Sequence, residues 1–218
     1  LNTIKYVLSF LVVYQIAFVA FADESSAKTT TKVSLKSLSS WGLQTLFISN
    51  SATALETDYL GESTERVEMK NSGIGFSGFY NYYVNQTWIL HSSFGYEPLN
   101  AIGKSTLFGC DNMSSNDCAV DIDYLAGTAA IRFNLPKKTY NLWTDLGFSI
   151  RYPLKSSSTA LVASRVSVTN TLNAGFGIEI EANRNKFIPV SLQYSLFPSV
   201  GGISANSLMF KFGYGWKL

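Results

Sequence analysis

The chain has 218 residues, the length of one domain, with only 15% charged and 14% aromatic residues. Its net charge of +2 offers no basic field to nucleic acid, and one His with two Cys cannot assemble a Cys/His metal site. No metal or cofactor is assigned. Soluble domains usually carry about 25% charged residues, so the low charge describes the solvent around the fold.

Lys5 is the sole charge before Asp23, and Tyr6 to Phe21 is almost wholly apolar. Ala20-Phe21-Ala22 then supplies a small-x-small site. A positive start, a short apolar run and an A-x-A end read as a secretory signal peptide over 1–22, cleaved after Ala22. Residues 23–40, rich in Ser, Thr and Lys, read as a periplasmic segment. No second long apolar run follows, so a membrane-bound body over 41–218 must cross with strands, and only a closed barrel satisfies their backbone in lipid.

The first strand is placed at about 41–50, where alternation is poor (WGLQTLFISN). Ile74, Phe76, Tyr80 and Tyr82 share a phase in the second, and Trp88, Leu90, Phe94 and Tyr96 in the third. In 119–135 the apolar phase is Leu125, Gly127, Ala129, Ile131, Phe133 and Leu135, with Tyr124, Thr128 and Arg132 opposite. Segment 139–152 sets Tyr140, Leu142, Leu146, Phe148, Ile150 and Tyr152 against Asn141, Trp143, Asp145, Gly147, Ser149 and Arg151. Segments 165–182, 187–197 and 207–218 alternate likewise, for example Leu172, Phe176 and Ile180 against Asn173, Gly177 and Glu179. Period two is the strand signature. The polar face is mostly Gly, Ser, Thr and Asn, which suits a narrow lumen, whereas a soluble sheet turns many charges to water. The fold class is therefore all-β, an eight-stranded antiparallel up-and-down transmembrane β-barrel.

Long and short links take turns. Long links are read at 51–70, 97–119, 153–164 and 198–206, and short ones at Tyr83–Gln86, Pro136–Lys138 and Asn183–Asn185. Short turns face the periplasm in such barrels, and an even strand number puts both ends there. Trp88, Tyr140, Phe187 and Trp216 form a predicted girdle at the short-turn end, and Phe94, Tyr96, Tyr152 and Phe197 one at the other. Trp143 falls on the lumen phase and belongs to neither.

This architecture resembles the small outer-membrane barrels of the OmpA and OmpX type, from about Trp41 onward. The most specific element is the last strand. Lys211, Gly213, Trp216 and Leu218 occupy the polar, glycine and two hydrophobic positions of a sequence similar to the β-signal read by the barrel assembly machinery. Members commonly end in Phe, and this chain ends in Leu. The resemblance implies the bacterial outer membrane as location, its lipid and lipopolysaccharide as surroundings, and the assembly machinery as partner.

Arg132, Asp145, Glu179 and Lys211 all project inward by phase, and buried charges must pair. They read as an ion-paired plug, or else as the lining of a gated polar pore. Cys110 and Cys118 flank DNMSSND in a long loop, and export to an oxidising compartment favours a disulfide. His91 and Ser93 share a face with Glu97, a set that can form a hydrolytic trio. Lipid A deacylases, to which the chain is similar only in that His/Ser pairing, use such a set facing lipid. Here Trp88, Leu90 and Phe94 claim the lipid face, which turns His91 inward. Acidic side chains crowd the long links (Glu56, Asp58, Glu62, Glu65, Glu68, Asp111, Asp117, Asp121, Asp123), and Lys137, Lys138, Arg184 and Lys186 the short ones. Three functions follow as expectations. The first is a non-enzymatic anchor displaying its loops to a surface partner, the second a narrow channel, and the third a lipid A-modifying hydrolase through His91 and Ser93.

Overall fold

The computed structural model describes residues 39–57, 64–106, 110, 116–136, 140–159, 168–199 and 203–218. The predicted signal peptide, including Ala20 and Ala22, and most of the 23–40 segment lie outside these residues. The strands are β1 (Ser39–Thr57), β2 (Thr64–Tyr83), β3 (Trp88–Lys104), β4 (Asp117–Pro136), β5 (Tyr140–Ser156), β6 (Thr169–Asn183), β7 (Lys186–Leu196) and β8 (Ile203–Lys217). Each pairs antiparallel with the next, and β8 returns to β1 from Ser40–Lys217 to Ala54–Ile203, closing the barrel. Closure leaves no sheet edge along the lipid-facing wall.

A continuous apolar belt covers the outside. Leu43, Phe47, Ile74, Phe76, Phe94, Ile131, Leu146, Leu172, Phe176 and Phe212 all point outward and are exposed. Along β8 the outward apolar run goes from Leu208 to Trp216, and along β2 from Ile74 to Tyr82. These lengths match the roughly 9–11 residues a tilted strand needs to cross hydrocarbon. Trp41 stacks on Trp216 with centroids 4.6 Å apart at the short-turn end, and Phe76 lies 5.7 Å from Tyr96 at the other.

The first four strands run well beyond this belt, which corrects the predicted loops. β1 begins at Ser39 and continues to Thr57, and β2 starts at Thr64, so most of the predicted 51–70 loop is ladder. Likewise Glu97–Lys104 and Asp117–Ala119 belong to β3 and β4 rather than to a loop. β5 extends to Ser156, and β8 starts at Ile203, inside the predicted 198–206 loop. The reason is a reversal of polarity. Within the belt the outside is apolar and the inside mostly polar. Beyond it Ser49, Ser51, Lys70, Ser72, Asp121 and Asp123 take the outward positions, while Ala52, Ala54, Val67, Met69, Leu99, Ala101, Val120 and Ile122 are buried inside. The alternation continues, but its two faces exchange character, as expected when water replaces lipid outside.

Two prolines interrupt the wall. β2–β3 pairing lapses between Lys70–Ile102 and Phe76–Tyr96, around Pro98, and β7–β8 pairing lapses between Phe187–Gly215 and Val190–Phe212, around Pro189. Neither proline has an N–H to give to the ladder. The Pro98 carbonyl accepts instead from Asn50 Nδ2 at 3.1 Å.

Candidate functional site

The residues with chemical capacity converge on the lumen. Arg132 on β4 sits directly across the ladder from Asp145 on β5. Its Nη2 is 3.1 Å from Asp145 Oδ2, and its Nη1 is 3.4 Å from Glu179 Oε1 on β6. The guanidinium also lies over the Trp143 ring, 3.4 Å from the centroid. This accounts for the tryptophan on the lumen phase: it supplies a π face to a buried cation, an attraction that strengthens when both are desolvated.

Lys211 lies inside the barrel but apart from this cluster. Its Nζ donates to Gln193 Oε1 at 2.7 Å, and among the described residues its ammonium has no carboxylate within ion-pair distance. Sequence reasoning missed a second pair. Arg151 Nη2 is 2.7 Å from Glu97 Oε2, and its Nε donates to the same oxygen at 3.0 Å. Both residues stand on lumen-phase positions, so parity was the signal for them. With that pair included, three cations (Arg132, Arg151, Lys211) meet three carboxylates (Glu97, Asp145, Glu179) among the described lumen residues. The interior is electrically balanced as well as buried, which limits the desolvation cost of each charge.

The remaining lumen groups bond to one another. Thr128 Oγ1 is 2.6 Å from Ser149 Oγ. Asn173 bridges β5 and β7: its amide N donates to Ser195 Oγ at 2.7 Å, and its amide O accepts from Ser149 Oγ at 2.5 Å. Gln44 Nε2 donates to Ser77 Oγ at 2.9 Å. His91 and Ser93 are both buried inside, as their phase requires. They do not join Glu97 in a trio. His91 Nδ1 is 2.7 Å from Asn81 Oδ1, and the Glu97 carboxylate is engaged by Arg151. A nucleophile, a base and its orienting acid must hydrogen-bond in sequence to act together, and here the acid serves a cation instead.

Aromatic rings fill the short-turn end of the lumen. Phe187 is 0% exposed and packs against Phe79 with centroids 6.1 Å apart, so it is not the girdle residue that its place near a strand end suggested. Phe197 is likewise turned in, under the Arg151 guanidinium at 4.9 Å and against Tyr124. In both cases the residue shares parity with the lumen-facing Ser191, Gln193 and Ser195, and parity wins over position. Three large rings near the short turns face a glycine across the ladder: Phe79 faces Gly42, Trp143 faces Gly177 and Phe187 faces Gly215. A Cβ at Gly215 would stand 2.3 Å from the Phe187 ring, and one at Gly42 2.5 Å from Phe79. Small residues on one strand thus make room for large ones on the next. A cavity of about 10 Å³ remains, lined by Gln44, Phe79, His91, Arg132, Trp143, Asp145, Pro189, Ser191, Gln193 and Lys211. That is about the smallest volume able to hold one water.

Toward the long links the interior becomes apolar. Leu46, Ile48 and Met209 form one cluster, and Val67, Met69, Leu99, Val120, Ile122 and Ile203 belong to a larger one. Cys118 is buried in the larger cluster and is disulfide-bonded to Cys110, with Cα atoms 5.1 Å apart. The outward aspartates of β4 are engaged by β3. Asp117 is 3.9 Å from Lys104 Nζ, Asp121 accepts from Asn100 at 2.7 Å, and Asp123 accepts from the Tyr96 hydroxyl at 2.5 Å. Glu65 accepts from Ser105 Oγ at 2.6 Å and from Thr106 N at 2.7 Å, tying β2 to the β3–β4 link. Of the last-strand residues singled out above, Lys211 points inward, Gly213 packs flush against Gln44, Trp216 stacks on Trp41 and Leu218 ends the chain exposed.

No protein-family model matches the sequence, and no curated protein matches it. Solved structures do. OprG of Pseudomonas aeruginosa, an outer membrane protein, superposes with a TM-score of 0.54 at 12% identity, covering 84% of this chain and 97% of that one. Neisserial surface protein A gives a TM-score of 0.47 at 13% identity, covering 82% and 97%. The N-terminal barrel domain of Pseudomonas aeruginosa OprF gives 0.43 at 10% identity, covering 81% and 99%. The feature shared with OprG is the fold, a small closed antiparallel β-barrel.

Proposed function

We propose that this outer-membrane barrel is a non-enzymatic anchor whose closed wall holds rigid hairpins above the lipid for contact with a surface partner. The filled lumen carries the reading. Among the described residues, charge-balanced ion pairs and three aromatic rings seated on glycines occupy the lumen, and the cavity between them is only about 10 Å³. The height of the β1–β4 hairpins supports the second half of the proposal. They project beyond the lipid belt on a packed apolar core, and a disulfide pins the β3–β4 link. A rigid display surface loses little conformational entropy when a partner binds. The last strand, through Lys211, Gly213, Trp216 and Leu218, is proposed to recruit the barrel assembly machinery. The outer rim of the belt is proposed to meet lipopolysaccharide. Planar-bilayer recording of the refolded protein tests the anchor. Silence is the expected result, and steady, reproducible unitary openings would overturn it in favour of a narrow channel.

A further inference from the structure

Two hydrogen-bonded chains inside the barrel end on the same cavity. One begins near the short turn after β2: the Tyr83 hydroxyl and Ser40 Oγ are 3.2 Å apart, and Asn81 Nδ2 donates to Ser40 Oγ at 3.1 Å. Asn81 Oδ1 then meets His91 Nδ1 at 2.7 Å. The other chain begins at Lys211, whose Nζ donates to Gln193 Oε1 at 2.7 Å, and Gln193 Nε2 donates to Ser195 Oγ at 3.3 Å. It continues through Asn173 to Ser149 and Thr128. His91 terminates the first chain and Lys211 the second, and both line the cavity of about 10 Å³ together with Gln44, Ser191, Gln193 and Trp143.

One lining residue is left unsatisfied by protein groups. Trp143 is 5% exposed, and its indole Nε1–H has no acceptor in the protein. A buried donor without a partner forfeits its hydrogen bond to water, and native folds rarely tolerate this. The volume is at the lower limit for a single water, and the lining is polar enough to give it several partners.

We propose that this cavity is a binding site for one ordered water, which accepts a hydrogen bond from Trp143 Nε1–H and joins the His91 chain to the Lys211 chain. Electroneutrality selects water over a small anion. Arg132 and Lys211 already balance Asp145 and Glu179, so a bound halide would leave an uncompensated charge in low dielectric. The joined path reaches the lumen interior from the short-turn end. Leu46, Ile48 and Met209 lie toward the other end. Water therefore enters as a structural component of the lumen.

The test uses the full chain refolded in nanodiscs with ¹⁵N-labelled tryptophan. The chain has four tryptophans. The Trp143 indole resonance is assigned by its loss in Trp143→Phe. If that variant does not fold, single Phe replacements of Trp41, Trp88 and Trp216 assign it by elimination. The expected result is a cross-relaxation peak between water and the Trp143 indole proton that is unaltered when nitrate replaces chloride. Ser191→Val, which fills the cavity, abolishes that peak in a protein that is still folded. Absence of the peak in the wild type, its survival in folded Ser191→Val, or a halide-dependent shift of the indole resonance would each overturn the proposal.

Discussion

Trp143 lies directly across the β5–β6 ladder from Gly177, and a Cβ built on that glycine would stand 2.5 Å from the indole ring. The same Cβ would be 2.6 Å from the Val190 carbonyl oxygen, so the ring cannot simply swing aside to admit it. Gly177→Ala is expected to lower unfolding free energy by about 1–3 kcal/mol, the usual cost of overpacking. Gly78→Ala is the control. Its Cβ would point outward with nothing nearer than 3.8 Å, and the change should stay within about 0.5 kcal/mol. Urea unfolding in detergent micelles, followed by tryptophan fluorescence, compares the two.

Arg132 holds two carboxylates, so its loss and theirs are not equivalent. Arg132→Met leaves Asp145 and Glu179 buried without their cation and should cost about 3–5 kcal/mol. Asp145→Asn leaves the Arg132–Glu179 pair standing and should cost less. Combining Arg132→Met with Asp145→Leu and Glu179→Leu should recover most of the loss, because a well-packed apolar replacement avoids desolvating any charge. The order of the three unfolding midpoints is the measurement. If the triple variant were the least stable, the ion pairs would be stabilising in their own right.

His91 tests the enzymatic alternative. Lipid A mass profiles from cells making the wild type or His91→Ala should be identical, since His91 is buried against Asn81 and its strand-mate Glu97 is held by Arg151. The substitution should still lower stability by about 1–3 kcal/mol, because it removes the partner of a buried amide. A profile that changed with this residue would bring back the hydrolase.

The disulfide acts on one link only. Removing it with Cys110→Ser and Cys118→Ser frees a short ring, for which chain entropy predicts about 2.5 kcal/mol of lost constraint. The barrel should remain folded, judged by its gel mobility without heating, while limited proteolysis between positions 110 and 118 accelerates. Equal proteolysis of both forms would mean that packing of Cys118 in the apolar cluster, not the covalent bond, secures the link.

Most of the wall was legible in the sequence, because lipid on one side and a narrow lumen on the other enforce strict parity along β4 to β8. The upper strands were not. Their alternation continues through Ala52, Ala54, Val67 and Met69, but with apolar residues inside, and a reading tuned to apolar-out strands stops there. β1 was obscure for a related reason. Leu46, Phe47 and Ile48 are consecutive apolar residues, since here the lumen too is apolar. In the lumen, parity pointed Arg132, Asp145, Glu179 and Lys211 inward. Which of them touch depends on register across separate ladders, and the structure groups the first three while giving Lys211 to Gln193. Phe187 and Phe197 were misassigned to the girdles by their nearness to strand ends, against the parity of their own strand.

The exchange of faces at the rim also determines how deeply the barrel sits. On β1 the outward residue changes from Phe47 to Ser49, on β2 from Ile74 to Ser72, and on β4 from Leu125 to Asp123. Sinking the molecule by one pleat would drag Ser49, Ser72 and Asp123 into hydrocarbon, and raising it would lift Phe47, Ile74 and Leu125 into water. Both displacements are uphill, so the barrel has a single vertical resting position. The height to which β1–β4 rise above the bilayer surface is thereby written into the chain.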